Sequence, residues 1–479
     1  MIKFINNILM SFKSAFSRES SFQWFVVVVI GLIISNDGIG VTSIVRELSL
    51  NPKYYENLIH FFRSDAWKID KLIERWVSII KANAPIIKVK GLNILIGDGV
   101  KQSKEGKRMP GVKKYHQDSE NSAKAEYIFG HMFGVVSVLI GNMKKQFSLA
   151  ISATIQDGVN EIRKYTEPLK EVPSHVVQVI AQAGDIAKQL GKSILLLDRY
   201  FLSVPALEKA LEYLDENGDA LIEIVTKAKI SYKAYKEPEA PTHKKAGAPK
   251  KKGDSVKLKD LFITAKEKFI TTDLYLYGKM QTVEYYCTDL LWGTKLYKKL
   301  RFVLVKAESF PESIFVSTSL MLSAEEIIGL YSYRFKIELN FKVLKHTIYG
   351  FCYHFWSKYM PKLNRYQKER NQRALETITD KFSQKKIIEA LKAIEGHVMF
   401  SCIACGIVQM ISLKFSEIIN FSQARWLRTI TNSIVSEDTV VYYLKKNIFS
   451  FIKEFSHYDI MQIIISKQDE YFEKYSKSA

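Results

Sequence analysis

Two short apolar runs that each end in an aspartate constrain this chain more than any other feature. LNILIGDGV runs from Leu92 to Val100 and delivers Asp98 between Gly97 and Gly99; KSILLLDRYF runs from Lys192 to Phe201 and delivers Asp198. An apolar run of about four to eight residues bounded by turn residues reads as a buried strand. A buried strand that presents an acid at its C-terminal end is a common way to place a reactive group. The segments between and after the two runs fill out the architecture. YIFGHMFGVVSVLIG and KQFSLAISAT read as two strands joined by a turn at Gly141–Met143. Pro173–Gly191 is an amphipathic helix with Gly191 as its stop, PALEKALEYLDENG a second helix, and ALIEIVTKAK a further strand. The order β-β-β-α-β-α-β indicates an α/β fold, a mixed sheet with helices on its faces.

The flanks differ. Residues 1–90 read as helical, and VTSIVRELSLNPKYYENLIHFF holds two short amphipathic stretches with Asn51 as a cap and Pro52 at the first helical position. That pattern suits a helix-turn-helix for DNA and an ordinary helical corner equally. If it reads DNA, substituting Arg46 and Lys53 lowers affinity for the DNA ends. A β-rich block at 231–318 interrupts the α/β rhythm; it begins with a basic, Pro- and Gly-rich loop whose lysines at 244–259 either track a DNA backbone or solvate a loop. Residues 319–415 return to helix, and 416–479 form a charged helical tail. The expected domains are therefore 1–90, 91–230, 231–318, 319–415 and 416–479.

The chain has 479 residues, 47% of them hydrophobic, which makes it globular and long enough for several domains. Its 70 Lys and Arg outnumber 50 Asp and Glu, giving a net charge of +20 and a pI near 9.4. Such an excess favours a polyanionic partner, most simply nucleic acid. The rival, a membrane surface, has one supporting segment, Trp24–Ile34. Those eleven uncharged residues fall short of the roughly 20 needed to cross a bilayer. They have no cleavage pattern of a signal peptide either, and read as a buried helix or strand of an intracellular protein. The four cysteines make no disulfide framework, and Cys402-x-x-Cys405 lies inside the apolar run VMFSCIACGIVQMI, which reads as core. His131, within a strand, reads as a hydrogen-bonded core histidine.

YSYRFKIELNFKVLKH carries Tyr331, Arg334, Glu338 and Lys345 at steps of three, four and seven. On one continuous α-helix at about 100° per residue, these four side chains fall within roughly 40° of Glu338. AEE at 324–326 would open that helix with charge its dipole prefers. A solvated face with weak ion pairs has the same pattern. Together, Asp98, Asp198 and Glu338 are three hard carboxylates able to hold two Mg²⁺ ions, the arrangement that cuts and joins phosphodiesters.

On these residues the chain resembles the DDE transposases of bacterial insertion sequences, the branch with a Tyr-x2-Arg-x3-Glu-x6-Lys motif and a β-rich insert between the second Asp and the Glu. LIGDGV and LLLDRYF resemble that family's two Asp motifs, and the resemblance covers about residues 91–415. It implies an RNase H-like core interrupted by a β-rich insertion, with an added N-terminal helical domain. Asp98, Asp198 and Glu338 would be the catalytic metal ligands for two Mg²⁺, with Mn²⁺ able to substitute. Tyr331, Arg334 and Lys345 would contact phosphates near the transposon end. Trp292, the one tryptophan of the insert, corresponds either to a base-stacking residue or to core. Lys101 and Arg199, beside the two aspartates, would touch phosphate or tune the carboxylates. The implied partners are double-stranded DNA, as transposon ends and as target, and a second copy on the paired ends, with no membrane. The implied place is the bacterial cytoplasm, on the nucleoid. Alternatives are an RNase H-like nuclease without strand transfer and a catalytically silent DNA-binding descendant.

Overall fold

The computed structural model describes residues 1–117, 125–166, 173–239, 250–308, 310–364, 373–419 and 434–468. Lys244 and Lys245 of the basic loop, and residues 420–433 and 469–479 of the C-terminal tail, lie outside these residues. In chain order the strands are β1 (Lys88–Val89), β2 (Leu92–Ser103), β3 (Lys113–His116), β4 (Tyr127–Gly141), β5 (Gln146–Ile155), β6 (Ser193–Leu196) and β7 (Ile222–Ala228). They continue as β8 (Lys233–Tyr235), β9 (Ser255–Lys257), β10 (Ile270–Leu276), β11 (Lys279–Trp292), β12 (Lys298–Ala307) and β13 (Phe310–Ser317). Two compact units share the chain: Met1–Ile87 with Gly99–His175 and Glu338–Ala479, and Lys88–Asp98 with Val176–Ile337.

In the second unit the sheet order is β2-β6-β7-β13-β12-β11-β8-β9, with β1 on β2 and β10 on β11. β2, β6 and β7 are parallel, and β13, β12 and β11 continue antiparallel. All four residues of β6 are buried, as a strand covered on both faces requires. The helix His175–Leu190 buries Val176, Val179, Ile180 and Ala183. Its Val179 passes so close to β2 that a Cβ on Gly97 would meet Val179 Cγ1 at 2.8 Å and Leu197 Cδ2 at 2.9 Å. Glycine at 97 is therefore what lets the helix pack tightly just before Asp98. On either side of the basic loop, β8 and β9 pair antiparallel from Lys233↔Lys257 to Tyr235↔Ser255.

In the first unit the helix Lys381–Phe415 is 35 residues long and buries Ile387 through Ser412 almost without a break. By length and composition it could cross a membrane, yet 83% of its most apolar window is buried inside the protein. Trp67 packs against it at Gly396 and Trp76 at Gly406, where any Cβ would overlap an indole. Both rings are anchored, Trp67 Nε1 donating to Phe61 O at 3.0 Å and Trp76 Nε1 to Ala150 O at 3.0 Å. Cys402 and Cys405 lie in the same core, fully buried, and burial pushes both thiols up. The helix Glu19–Ile34 contains the apolar segment Trp24–Ile34 and is likewise buried. His131 is 0% exposed and bridges Pro110 O and the Tyr353 hydroxyl, each at 2.7 Å. Donation from Nε2 to the carbonyl fixes Nδ1 as acceptor, and burial holds the imidazole neutral, down to about 4.

β2 does not stop at Asp98, as its apolar run suggests; it continues to Ser103. In that second half the Gln102 carbonyl approaches β4 at Gly130 so closely that a Cβ there would overlap backbone. Backbone cannot step aside as a side-chain tip can. Gly130→Val is expected to cost about 3 kcal/mol, the upper range for overpacking, read as a lowered denaturant midpoint.

Candidate active site in the second unit

The parallel register carries the central result. Asn93, Ile94, Leu95 and Ile96 face Ser193, Ile194, Leu195 and Leu196, so β2 and β6 run at a constant offset. Asp98 and Asp198 both lie two residues beyond the last of these pairs, at the same register position on neighbouring strands. Neighbouring strands are about 4.8 Å apart and matched positions share a face. On the other side of β6, Leu196 pairs with Val225, which puts Lys227 of β7 at that same position. Lys227 in turn faces Phe315 of β13. One row across the sheet therefore reads Asp98, Asp198, Lys227, Phe315.

Each member is held. Asp198 caps the short 3₁₀ turn Arg199–Phe201, its Oδ1 accepting the Arg199 N–H at 2.7 Å. Its own carbonyl accepts from the Thr226 hydroxyl at 2.9 Å. Lys227 Nζ sits 5.1 Å from the ring centres of both Phe315 and Tyr331 and donates to Ser313 Oγ at 3.3 Å. Burial holds the Lys227 ammonium below its usual range; Asp198 opposes this, while Arg334 and Arg199 add to it. Asp98 Oδ2 accepts from Arg334 Nη1 at 3.0 Å, with the two side chains only 21% and 14% exposed.

The segment that supplies Arg334 is not one helix. Ala324–Ser332 and Lys336–His346 are separate helices, with a turn at Tyr333–Phe335. There the bonds run three residues back: Arg334 N–H to Tyr331 O at 3.0 Å and Lys336 N–H to Tyr333 O at 2.9 Å. Tightening to a three-residue repeat interrupts the α-helical period at Tyr333–Phe335, so the one continuous helix expected from Tyr331 to Lys345 is two. The acidic opening belongs to the first of the two helices, where Ser323 and Glu326 make a capping box.

Tyr331 is 6% exposed, its ring 4.9 Å from Phe315, and burial raises its hydroxyl far above the usual phenol range. The enclosed ring thus packs against two members of the row, Phe315 and Lys227. The β-rich block contributes Tyr277. Leu276 pairs with Lys279, leaving Tyr277 and Gly278 as a two-residue hairpin turn with φ 53° and 87°. The Tyr277 ring lies 6.1 Å from Phe335. Burial raises its hydroxyl, and Arg334 pulls the other way. Trp292 ends β11 at 9% exposure with its ring 5.7 Å from Tyr232. That is a buried position.

Asp98, Asp198, Arg334 and Tyr331 are thus brought together, and Lys227 and Tyr277 join them. Glu338 and Lys345 belong to the other unit, in the first and last turns of Lys336–His346, with Glu338 exposed. Among the described residues no three His, Cys, Asp or Glu side chains stand close enough to share one metal ion. The two aspartates on their own fit a divalent cation: adjacent hard oxygen donors whose charges would otherwise repel, with one cation already paired to Asp98.

The family of DDE superfamily endonucleases matches residues 11–274, more than half of the 479. The chain belongs to that family. The matched stretch contains Asp98 and Asp198 and stops short of Glu338. Among solved structures, a cryo-EM piggyBac transposase synaptic complex with hairpin DNA matches at 12% identity over 95% of this chain and 78% of that one. The TM-score of that match is 0.38. No curated protein matches in sequence.

Proposed function

We propose that the chain is a DDE transposase that binds the inverted-repeat ends of a mobile DNA element, cleaves there and joins the freed end to target DNA. The observation that carries the reading is the register match of Asp98 with Asp198, flanked by Arg334 and Lys227. Asp98 and Asp198, with Glu338 as third carboxylate, would hold two Mg²⁺ ions, Mn²⁺ substituting. Bound there, such ions would supply activation of the attacking oxygen and stabilisation of the leaving one. Arg334 orients the Asp98 carboxylate, Asp198 is fixed by its cap, and Lys227 moderates the repulsion between the two acids. The net charge of +20 supports a DNA partner. The parallel order β2-β6-β7 supports an RNase H-like core. In this reading two copies act on paired ends, and the protein works on the DNA of a bacterial cytoplasm as a member of the insertion-sequence branch.

The test is cleavage of labelled end duplexes by purified protein with Mg²⁺ or Mn²⁺, with Glu338→Gln in parallel. Metal-dependent cuts at the repeat boundary, lost in Glu338→Gln, are expected. Cuts without joining to a target duplex would reduce the protein to a nuclease. Binding without any cut would reduce it to a silent DNA-binding descendant.

A further inference from the structure

Among the described tryptophans, Trp24, Trp67, Trp76 and Trp292 are at most 9% exposed, whereas Trp356 is 55% exposed. The local chain explains why. From Phe351 to Lys358 the backbone alternates: Phe351, Tyr353, Phe355 and Ser357 are buried, and His354, Trp356 and Lys358 are exposed. The period of two is that of extended chain, and the inward side chains fix its phase. Tyr353 stacks on His131 at 5.7 Å with Lys104 Nζ 3.8 Å from its ring, and Phe355 packs on Phe62 at 4.9 Å. With those anchors in place Trp356 has to face out.

The opposite wall is the segment Ser103–Met109, and cross-links hold the two walls together. Ser357 N–H donates to Arg108 O at 3.2 Å and Leu363 N–H to Lys107 O at 2.9 Å. Arg108 Nη1 donates to Lys358 O at 2.6 Å and Met360 O at 2.9 Å, and Arg63 Nη2 holds Trp356 O at 3.1 Å. Between the walls lies an open cavity of about 870 Å³. Its lining carries four cations (Lys104, Lys107, Arg108 and Lys362) against one carboxylate, Glu105, with His354 and Trp356 alongside. The Lys104 ammonium is built into the floor, donating to Phe351 O at 2.6 Å and Tyr353 O at 3.0 Å.

An indole held out from a cross-linked backbone, in a basic groove large enough for a small-molecule ligand, matches a ligand that is both flat and flanked by negative charge. We propose that this groove takes an unpaired nucleotide of a DNA strand, its base stacked on Trp356 and the neighbouring phosphates on Lys107, Arg108 and Lys362. The inference rests on the DNA reading above and adds a single-strand subsite to it. A base inside a duplex has no open π-face to offer, so the subsite selects frayed, looped or single-stranded DNA over intact duplex.

The test is fluorescence anisotropy with labelled oligo-dT of about ten nucleotides and with a fully paired duplex. Both are titrated with the full chain, Trp356→Ala, Trp356→Phe and a Lys107→Gln/Lys362→Gln double variant. Trp356→Ala should weaken oligo-dT binding about tenfold, the loss of one base–aromatic stack, and leave duplex affinity unchanged. Trp356→Phe, which keeps a ring, should retain most of the binding. The double lysine variant should lower the slope of log affinity against log salt by about 1.4 for oligo-dT. Wild-type affinity for oligo-dT in Trp356→Ala would overturn the proposal, as would equal competition by an acidic peptide. Duplex end binding with no oligo-dT binding would also overturn it while leaving the transposase reading intact. End cleavage lost by Glu338→Gln alone would not bear on the groove.

Discussion

Replacing either Asp98 or Asp198 by asparagine should lower metal-dependent cleavage of end DNA by on the order of 10³-fold while leaving duplex binding near wild type. Asparagine keeps size and hydrogen bonding and removes only the charge a divalent cation needs. Asp198→Asn should also retain the cap of the Arg199–Phe201 turn, since an amide oxygen accepts the Arg199 N–H as a carboxylate does. The double variant should be scarcely worse than either single one, because groups acting as a unit are not additive. Single-turnover cleavage rates with a saturating end duplex would check both points. A single variant that cuts at a tenth of the wild-type rate would mean that the register-matched pair is not the centre of the chemistry.

The two acids were legible because each follows a short apolar run that reads as a buried strand. Their alignment was not. Which residue of β2 faces which residue of β6 is a tertiary fact, and a run such as ILIG or ILLL slides in register without changing its pattern. Lys227 escaped because a lysine near the end of a strand reads as solvent-facing. The signal was present, however: IEIVTK places Lys227 two residues after Val225, as ILIGD places Asp98 two residues after Ile96. The break at Tyr333–Phe335 left no mark, since YSYRF holds no glycine or proline and continues the helical period. The turn at Tyr277–Gly278 was hidden in the same way, Tyr-Gly being a far weaker turn signal than Asn-Gly. Trp292 shows the converse case. Its apolar surroundings, TDLLW, already indicated core, and only the family resemblance suggested a base contact.

Arg334→Ala tests the electrostatics of the site with two readouts that separate structure from chemistry. The guanidinium is the partner of Asp98 at 3.0 Å, in a pair mostly withdrawn from solvent. Removing it takes the arginine charge away from two adjacent carboxylates, leaving Lys227 in the same row. Breaking a fully buried pair costs about 3–5 kcal/mol; with Asp98 still 21% exposed, roughly 2 kcal/mol is the appropriate expectation. In chelator, the variant should therefore melt below wild type. A divalent cation supplies the missing positive charge and binds the folded state alone, so Mg²⁺ should raise the melting temperature more in Arg334→Ala than in wild type. Cleavage should nevertheless fall about 100-fold, because a misoriented ligand by itself forfeits that much. Arg334→Lys should recover most of the stability in chelator and little of the rate, since an ammonium restores the charge without the planar fork. Equal Mg²⁺ shifts in wild type and Arg334→Ala would show that the arginine does not share the carboxylate with the metal.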